Sequence, residues 1–262
     1  MHTKTKMRIY WVFFLILLSQ ALPAQILVQE SFEGGNLPNN WLTQANSGSD
    51  GWQFGSAADL SPASWEIPTR PFIAASNDDD CDCDKARDLL WMPPVQPPMG
   101  SKLFLKFDFY LDGFFGSIGK IVLTKDNGNT FQELFFLPTS GFWQTTTLDI
   151  SDQVDGSAFR VGFLHDDSGN WATGFAVDEV SLRIPADRDV RLQEIDLVPF
   201  VESGQQSIPL KIINEGAETI QSLDVSFQVN GGGNTQQTLS GLNILPLRET
   251  EIVLENIWQA TA

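Results

Sequence analysis

The stretch Asn77-Asp78-Asp79-Asp80-Cys81-Asp82-Cys83-Asp84 places five carboxylates within seven residues. Like charges this close repel, so such a loop needs water or a hard cation to screen it. Ca²⁺ takes roughly six to eight oxygen ligands from carboxylates, amides and backbone carbonyls, which Asn and Asp supply. The spacing is not that of an EF-hand, because Gly and the distal Glu are missing from their places. Further ligands must come from elsewhere in the chain. Glu33, at the end of the first expected strand, and Asp178, at an irregularity in the last, are the candidates. The expected site is therefore structural Ca²⁺ on Glu33, Asn77, Asp78, Asp80 and Asp178, against the plainer reading of a solvated acidic loop.

Cys81 and Cys83 are the only cysteines. In an oxidising compartment a disulfide within the loop is expected, although Cys-x-Cys closes a very small ring. The segment Thr124-Lys125-Asp126-Asn127-Gly128-Asn129-Thr130-Phe131 resembles an Asp-box, the structural hairpin found in sialidases and other β-proteins, with Phe131 in place of Trp. Its physics is local: the Asp carboxylate accepts turn amides and Gly128 supplies a positive φ. His165 heads His165-Asp166-Asp167-Ser168-Gly169-Asn170-Trp171, but no Gly-x-Ser-x-Gly elbow accompanies it. It reads as part of a surface loop, and no catalytic centre is expected. Trp65 and Trp171 lie in loop-like surroundings and are the candidates for stacking against a ligand ring.

These residues must be positioned by strands. Period-2 alternation dominates, and no segment carries a helical stripe. From Leu103 to Leu111 every odd position is apolar, and Phe159, Val161 and Phe163 repeat the pattern. Further strands are expected at Ile26–Phe32, Phe72–Ser76, Ile121–Lys125, Phe131–Leu137, Trp143–Ile150 and Phe175–Ile184. In the last, the apolar parity changes from odd (Phe175, Val177) to even (Val180, Leu182, Ile184). A bulge near Asp178-Glu179 or a change of sheet would explain it. Many short strands between turn signals imply an antiparallel sandwich.

Lys4, Lys6 and Arg8, then an uncharged run from Ile9 to Leu18 and Ala21-Leu22-Pro23-Ala24, have the layout of a secretory signal peptide over residues 1–24. Its removal takes three cations and no acid, moving the formal charge from −17 to −20. Such a charge disfavours nucleic acid and anionic lipid as partners. With 42% hydrophobic residues, 19 Phe and 8 Trp, the chain can nevertheless bury substantial cores. The mature chain is expected outside the inner membrane, secreted or at the cell surface, with no transmembrane segment left after cleavage.

Residues 26–184 form the first expected domain, an antiparallel jelly-roll β-sandwich. Pro185–Asp189 reads as a linker. Residues 190–262 alternate again around the tip Asn230-Gly231-Gly232-Gly233-Asn234, as a smaller and incomplete immunoglobulin-like β-sandwich. The chain is expected to continue beyond Ala262. The overall class is all-β.

Landmarks in the first domain follow a fixed order: Glu30-Ser31-Phe32-Glu33, Leu37-Pro38-Asn39-Asn40-Trp41, Gly51-Trp52-Gln53-Phe54, Arg87 to Pro94, Phe109 to Gly113, and Phe159 to Phe163 with Gly174 to Val180. Together they resemble the MAM-like family, including choice-of-anchor J and cleaved-adhesin domains of bacterial secreted proteins. The resemblance implies a jelly roll, often a bound calcium at the same Glu33 and Asp178, and an adhesive or carbohydrate-binding role. The expected function is a non-catalytic extracellular binding or adhesion module with a protein or glycan ligand. The alternative is a carbohydrate-binding accessory domain of a larger secreted hydrolase or protease.

Overall fold

The computed structural model describes residues 23–79, 81, 83–196, 204–228 and 235–260. The expected signal peptide, apart from its last two residues, falls outside them, as do Asp80 and the 230–234 hairpin tip. Among the described residues no helix is long and apolar enough to cross a membrane.

The first domain is a two-sheet antiparallel jelly-roll sandwich. One sheet is built from β1 (Gln25–Glu30), β3 (Gln53–Gly55), β4 (Ile73–Asn77), β6 (Phe104–Leu111), β9 (Ser140–Asp149) and β11 (Gly174–Ile184). Its order is β3-β4-β11-β6-β9, with β1 also on β11. The other holds β2 (Leu42–Gln44), β5 (Asp88–Trp91), β7 (Ile118–Thr124), β8 (Gln132–Phe136) and β10 (Arg160–Asp166), in the order β2-β5-β10-β7-β8.

The alternation seen in the sequence becomes the core directly. Leu103, Leu105, Phe107, Phe109 and Leu111 point inward with Phe159, Val161, Phe163, Phe175 and Val177. Strand side chains alternate between faces, so one register buries all of them together. Phe107 meets Phe163 edge-on at 5.1 Å. The parity break is a bulge within one sheet. Against β6 the register slips between Asp178 and Ser181, and Glu179 takes φ 50°. Val180 and Leu182 thereby regain the inward face.

Both sheets are also covered on their outer faces. On the first, residues 57–67 fold back so that Trp65 stacks on Tyr110 at 5.9 Å and 15°. Trp65 is 0% exposed, which corrects its expected role as a ligand-stacking ring: a loop in sequence serves as a lid in space. On the second, Leu89, Trp91, Val122 and Leu164 form a cluster closed by Phe131 of the Asp-box hairpin. There Thr130 donates from its amide (2.9 Å) and its hydroxyl (2.8 Å) to Asp126, and Gly128 has φ 91°. These hydrogen bonds, led by the Thr130 amide, hold the Asp126 carboxyl below its ordinary range.

The second unit pairs β12 (Val190–Ile195), β13 (Gly204–Asn214) and β16 (Glu249–Ala260) in one sheet, and β14 (Ile220–Phe227) with β15 (Thr235–Ile244) in another. Leu210, Ile212, Ile220, Ile244, Ile252 and Leu254 fill its core. The segment expected as a linker is zipped to the turn after β13. The amides of Gly216, Ala217 and Glu218 donate to the carbonyls of Asp189, Ala186 and Asp187. Glu215 also pairs with Arg183 and Arg191, so the first domain's last strand is tied to the second unit.

Two glycines are required by the tryptophan lids. A Cβ on Gly162 would sit 2.5 Å from the Trp91 ring, and one on Gly174 would sit 2.3 Å from Trp65. Overpacking a well-filled site costs roughly 1–3 kcal/mol. Gly162→Ala is therefore expected to lower the unfolding free energy by that amount, read as a lower urea midpoint with an unchanged slope, and a midpoint equal to wild type would refute the tight Trp91 contact.

Candidate functional site

Four connections meet at one end of the sandwich: residues 45–52, 78–87, 112–117 and 167–173. They build three layers, from a buried polar network through an acidic cavity to an aromatic rim.

The deepest layer centres on Lys85 and Asp88, both with fully buried side chains. The Lys85 ammonium pairs with Asp50, donates to Ser49 Oγ at 3.1 Å and lies 3.4 Å from Asp88 Oδ2. Asp88 Oδ2 also accepts from Ser49 Oγ (2.7 Å) and Ser76 Oγ (3.2 Å), while its Oδ1 has no partner. Burial pushes the Asp88 carboxyl above its ordinary range, against the opposing Ser49 hydrogen bond and Lys85 charge.

His165 belongs to this layer, which corrects its expected place in a surface loop. It is the penultimate residue of β10 and is 0% exposed. Its Nδ1 lies 2.9 Å from Ser76 Oγ and its Nε2 3.1 Å from Ser117 Oγ. Each serine also has a second acceptor within reach, Asp88 Oδ2 for Ser76 and the Gly174 carbonyl for Ser117, both at 3.2 Å, so the neutral ring donates to one serine and accepts from the other. Both serines are buried too, so the Ser–His contacts are core hydrogen bonds beyond the reach of a substrate.

Above them, Asp78 and Asp167 clamp the loops. Asp78 accepts the amides of Cys83 (2.9 Å) and Ala172 (2.9 Å). Asp167 accepts those of Lys85 (2.8 Å) and Gly169 (2.8 Å). With Asp84, Asn170 and Trp171 they line a cavity of about 200 Å³. Burial raises the Asp78 carboxyl, its two amide donors oppose this, and the neighbouring Asp167 charge adds to it. Cys81 and Cys83 are joined as a disulfide at its edge.

The expected calcium site is not assembled by these residues. Asn77 pairs with Gly174 and Ala74 with Val177 across β4 and β11, so Asp178 lies about 13 Å along the strand from the acidic loop. Glu33 sits on the exposed turn after β1, whose last residue pairs with Val180, and so falls at the Asp178 end. There a guanidinium takes the place expected for a cation. Arg70 bridges Asp178 (3.0 Å) and Asp108 (2.7 Å) and stacks 4.5 Å over the Trp143 ring. The other Asp178 oxygen accepts the Glu179 amide at 2.8 Å. Asp178 is thus satisfied by side chain and backbone, Asp78 by two amides, and Asp80 lies outside the described residues. Nearby charge was legible in the sequence, but its compensation by Arg70, 108 residues away, was not.

The outermost layer is aromatic. Phe114 and Phe115 are 63% and 65% exposed. They occupy a turn between Gly113 (φ 74°) and Gly116 (φ 97°), and Phe115 itself has φ 58°. That conformation is unfavourable for a bulky residue and persists where the surroundings enforce it. The enforcing contacts come from the opposite loop. Thr173 donates its amide to the Phe114 carbonyl (3.4 Å) and its hydroxyl to Asp112 Oδ1 (2.5 Å), Ser168 donates to the Gly116 carbonyl (3.3 Å), and Trp171 meets the Phe115 ring at 4.6 Å. Trp171, the remaining expected stacking residue, is half-buried beside both the rim and the cavity. The two phenylalanines escaped the sequence reading. Their signal was available: adjacent aromatics between glycines just past a strand cannot both enter a core.

No family model matches the chain, and no curated protein matches it. Among solved structures, the K3 cleaved adhesin domain of Lys-gingipain from Porphyromonas gingivalis is 16% identical over 61% of this chain and 98% of that domain, with a TM-score of 0.46. The CBM22-1 xylan-binding domain of Paenibacillus barcinonensis Xyn10C is 14% identical over 63% and 97%, with a TM-score of 0.42. TmCBM61, solved with β-1,4-galactotriose, is 14% identical over 58% and 93%, with a TM-score of 0.39. At such values the function must be argued from this chain's own residues.

Burial, then the Lys85 charge, lowers the His165 pKa from 6.5 to about 3. The unfolded chain therefore binds a proton near pH 6.5 that the folded chain refuses until about pH 3, so this residue makes stability fall as pH drops through that window. Asp178, raised to about 6 by burial, acts oppositely as pH drops from about 6 towards 3.8. In urea unfolding between pH 7 and pH 4, His165→Gln is expected to show a shallower acid loss than wild type. Parallel profiles would show that His165 is not held neutral.

Proposed function

We propose that this chain is an exported, non-catalytic binding module that takes a neutral glycan on the loop end of its sandwich. The observation carrying this reading is the aromatic rim of Phe114, Phe115 and Trp171, held rigidly beside a polar cavity. Sugar rings present C–H faces that pack on aromatic rings, and their hydroxyls need acceptors and donors at the edge of the stack. Asp84 and Asn170, which line the cavity with Trp171, supply both. A formal charge of −17 favours a neutral over an anionic saccharide. Adhesion to glycan-bearing cells and attachment to polysaccharide are two settings for the same contact.

A glycan array followed by calorimetry on its best neutral oligosaccharide tests the proposal. Trp171→Ala and Phe115→Ala are each expected to weaken binding about tenfold, as expected for losing one stacked ring, with near-native melting. Trp65→Ala should instead lower stability, because that ring is buried. Binding unaffected by either rim substitution, or no glycan bound by the folded protein, would overturn the assignment.

A further inference from the structure

We propose that Lys85 and Asp50 become joined by an intramolecular isopeptide bond, with Asp88 carrying the proton. This concerns the chemistry of the buried layer and stands whether or not the rim binds glycan.

The three groups have the arrangement the reaction needs. The Lys85 side chain has no exposed surface, and its Nζ is directed onto the Asp50 carboxylate. Asp88, equally buried, lies 3.4 Å from that nitrogen. Its Oδ1 is buried without any hydrogen-bond partner, an arrangement that costs free energy unless something is gained by it. Taking an ammonium ion out of water is costly, and pairing repays that cost only where geometry and further hydrogen bonds are good. Once it has given up a proton, the Lys85 nitrogen is a nucleophile held against the Asp50 carboxyl group. Asp50 remains 33% exposed, which leaves a path for water to depart.

The step balances without any added reagent. The Lys85 amine attacks Cγ of protonated Asp50 and forms the new C–N bond. Asp88 accepts a proton from the attacking nitrogen and returns one to the departing hydroxyl. The C–O bond breaks, one water leaves, and Asp88 regains its starting state. Burial, which raises the Asp88 carboxyl despite its Ser49 and Lys85 partners, suits it to hold and return that proton. The product amide N–H then faces Asp88.

The bond would also join two crossovers. Asp50 lies between β2 and β3, and Lys85 between β4 and β5, and each connection passes from one sheet to the other. A covalent tie there resists separation of the sheets.

The test is peptide mapping of the reduced, denatured wild-type protein with trypsin and endoproteinase Glu-C. Glu66 lies between the two residues, so Glu-C separates them in an unlinked chain. The expected result is a branched species holding Asp50 and Lys85, lighter by one water, with no tryptic cleavage after Lys85. Asp50→Ala, at the exposed end of the triad, should restore cleavage at Lys85, and Asp88→Asn should leave the two peptides separate. Wild-type protein that yields two unlinked peptides, with cleavage after Lys85, overturns the proposal and leaves a buried ion pair. That readout does not depend on whether either variant folds.

Discussion

Lys85 is the residue on which the loop end depends. Its ammonium gathers Ser49, Asp50 and Asp88, and its backbone amide donates to Asp167. Through its side chain and its backbone amide, this one residue fastens the connection before β3, the connection before β5 and the connection before β11. Removing it would leave the fully buried Asp88 carboxylate without its counter-charge, which is far more destabilising than never having placed charge there. The acidic cavity and the aromatic rim both sit on segments this residue fixes.

The same constraint accounts for the chain's acidity. Crowding of carboxylates at Asp78–Asp84 suggested an external cation, because repulsion within the loop is visible in the sequence. In the structure the acids are dispersed among local partners: Asp78 and Asp167 on backbone amides, Asp88 beside Lys85, and Asp178 on Arg70. Asp78 and Asp167 are answered by main-chain amides, Asp178 by a side chain remote in sequence, and Asp88 by Lys85 three residues before it. Charge counting detects the first half of such a balance only.

That contrast marks what was legible. Alternation identified the core of β6 and β10 and the parity break at Asp178-Glu179, though not whether it was a bulge or a change of sheet, and a local motif identified the Asp-box turn, since each depends on residues within one strand or hairpin. Trp65 and His165 were misplaced, and Glu33 and Asp178 were expected beside an acidic loop that the register sets apart from them, because their surroundings are set by other segments. Trp65 reads as a loop residue until Tyr110 and Gly174 are seen beneath it. His165 reads as a loop head until Ser76 and Ser117 are seen on either side. Period-2 patterning says which face a residue takes and nothing about what later covers that face.

Rigidity is what connects the buried layer to the rim. A ligand that must order a mobile loop loses affinity to conformational entropy, whereas a preformed surface avoids that cost. Phe115 is kept at φ 58° by its flanking glycines and by the Thr173, Ser168 and Trp171 contacts. Those contacts come from the 167–173 loop, which Asp78 holds at Ala172 and which Asp167 fastens to Lys85. The chain of support therefore runs from the Lys85 backbone amide through Asp167 and its loop to the exposed rings. The surface that presents two phenylalanines to water rests on loops whose carboxylates are held by main-chain amides.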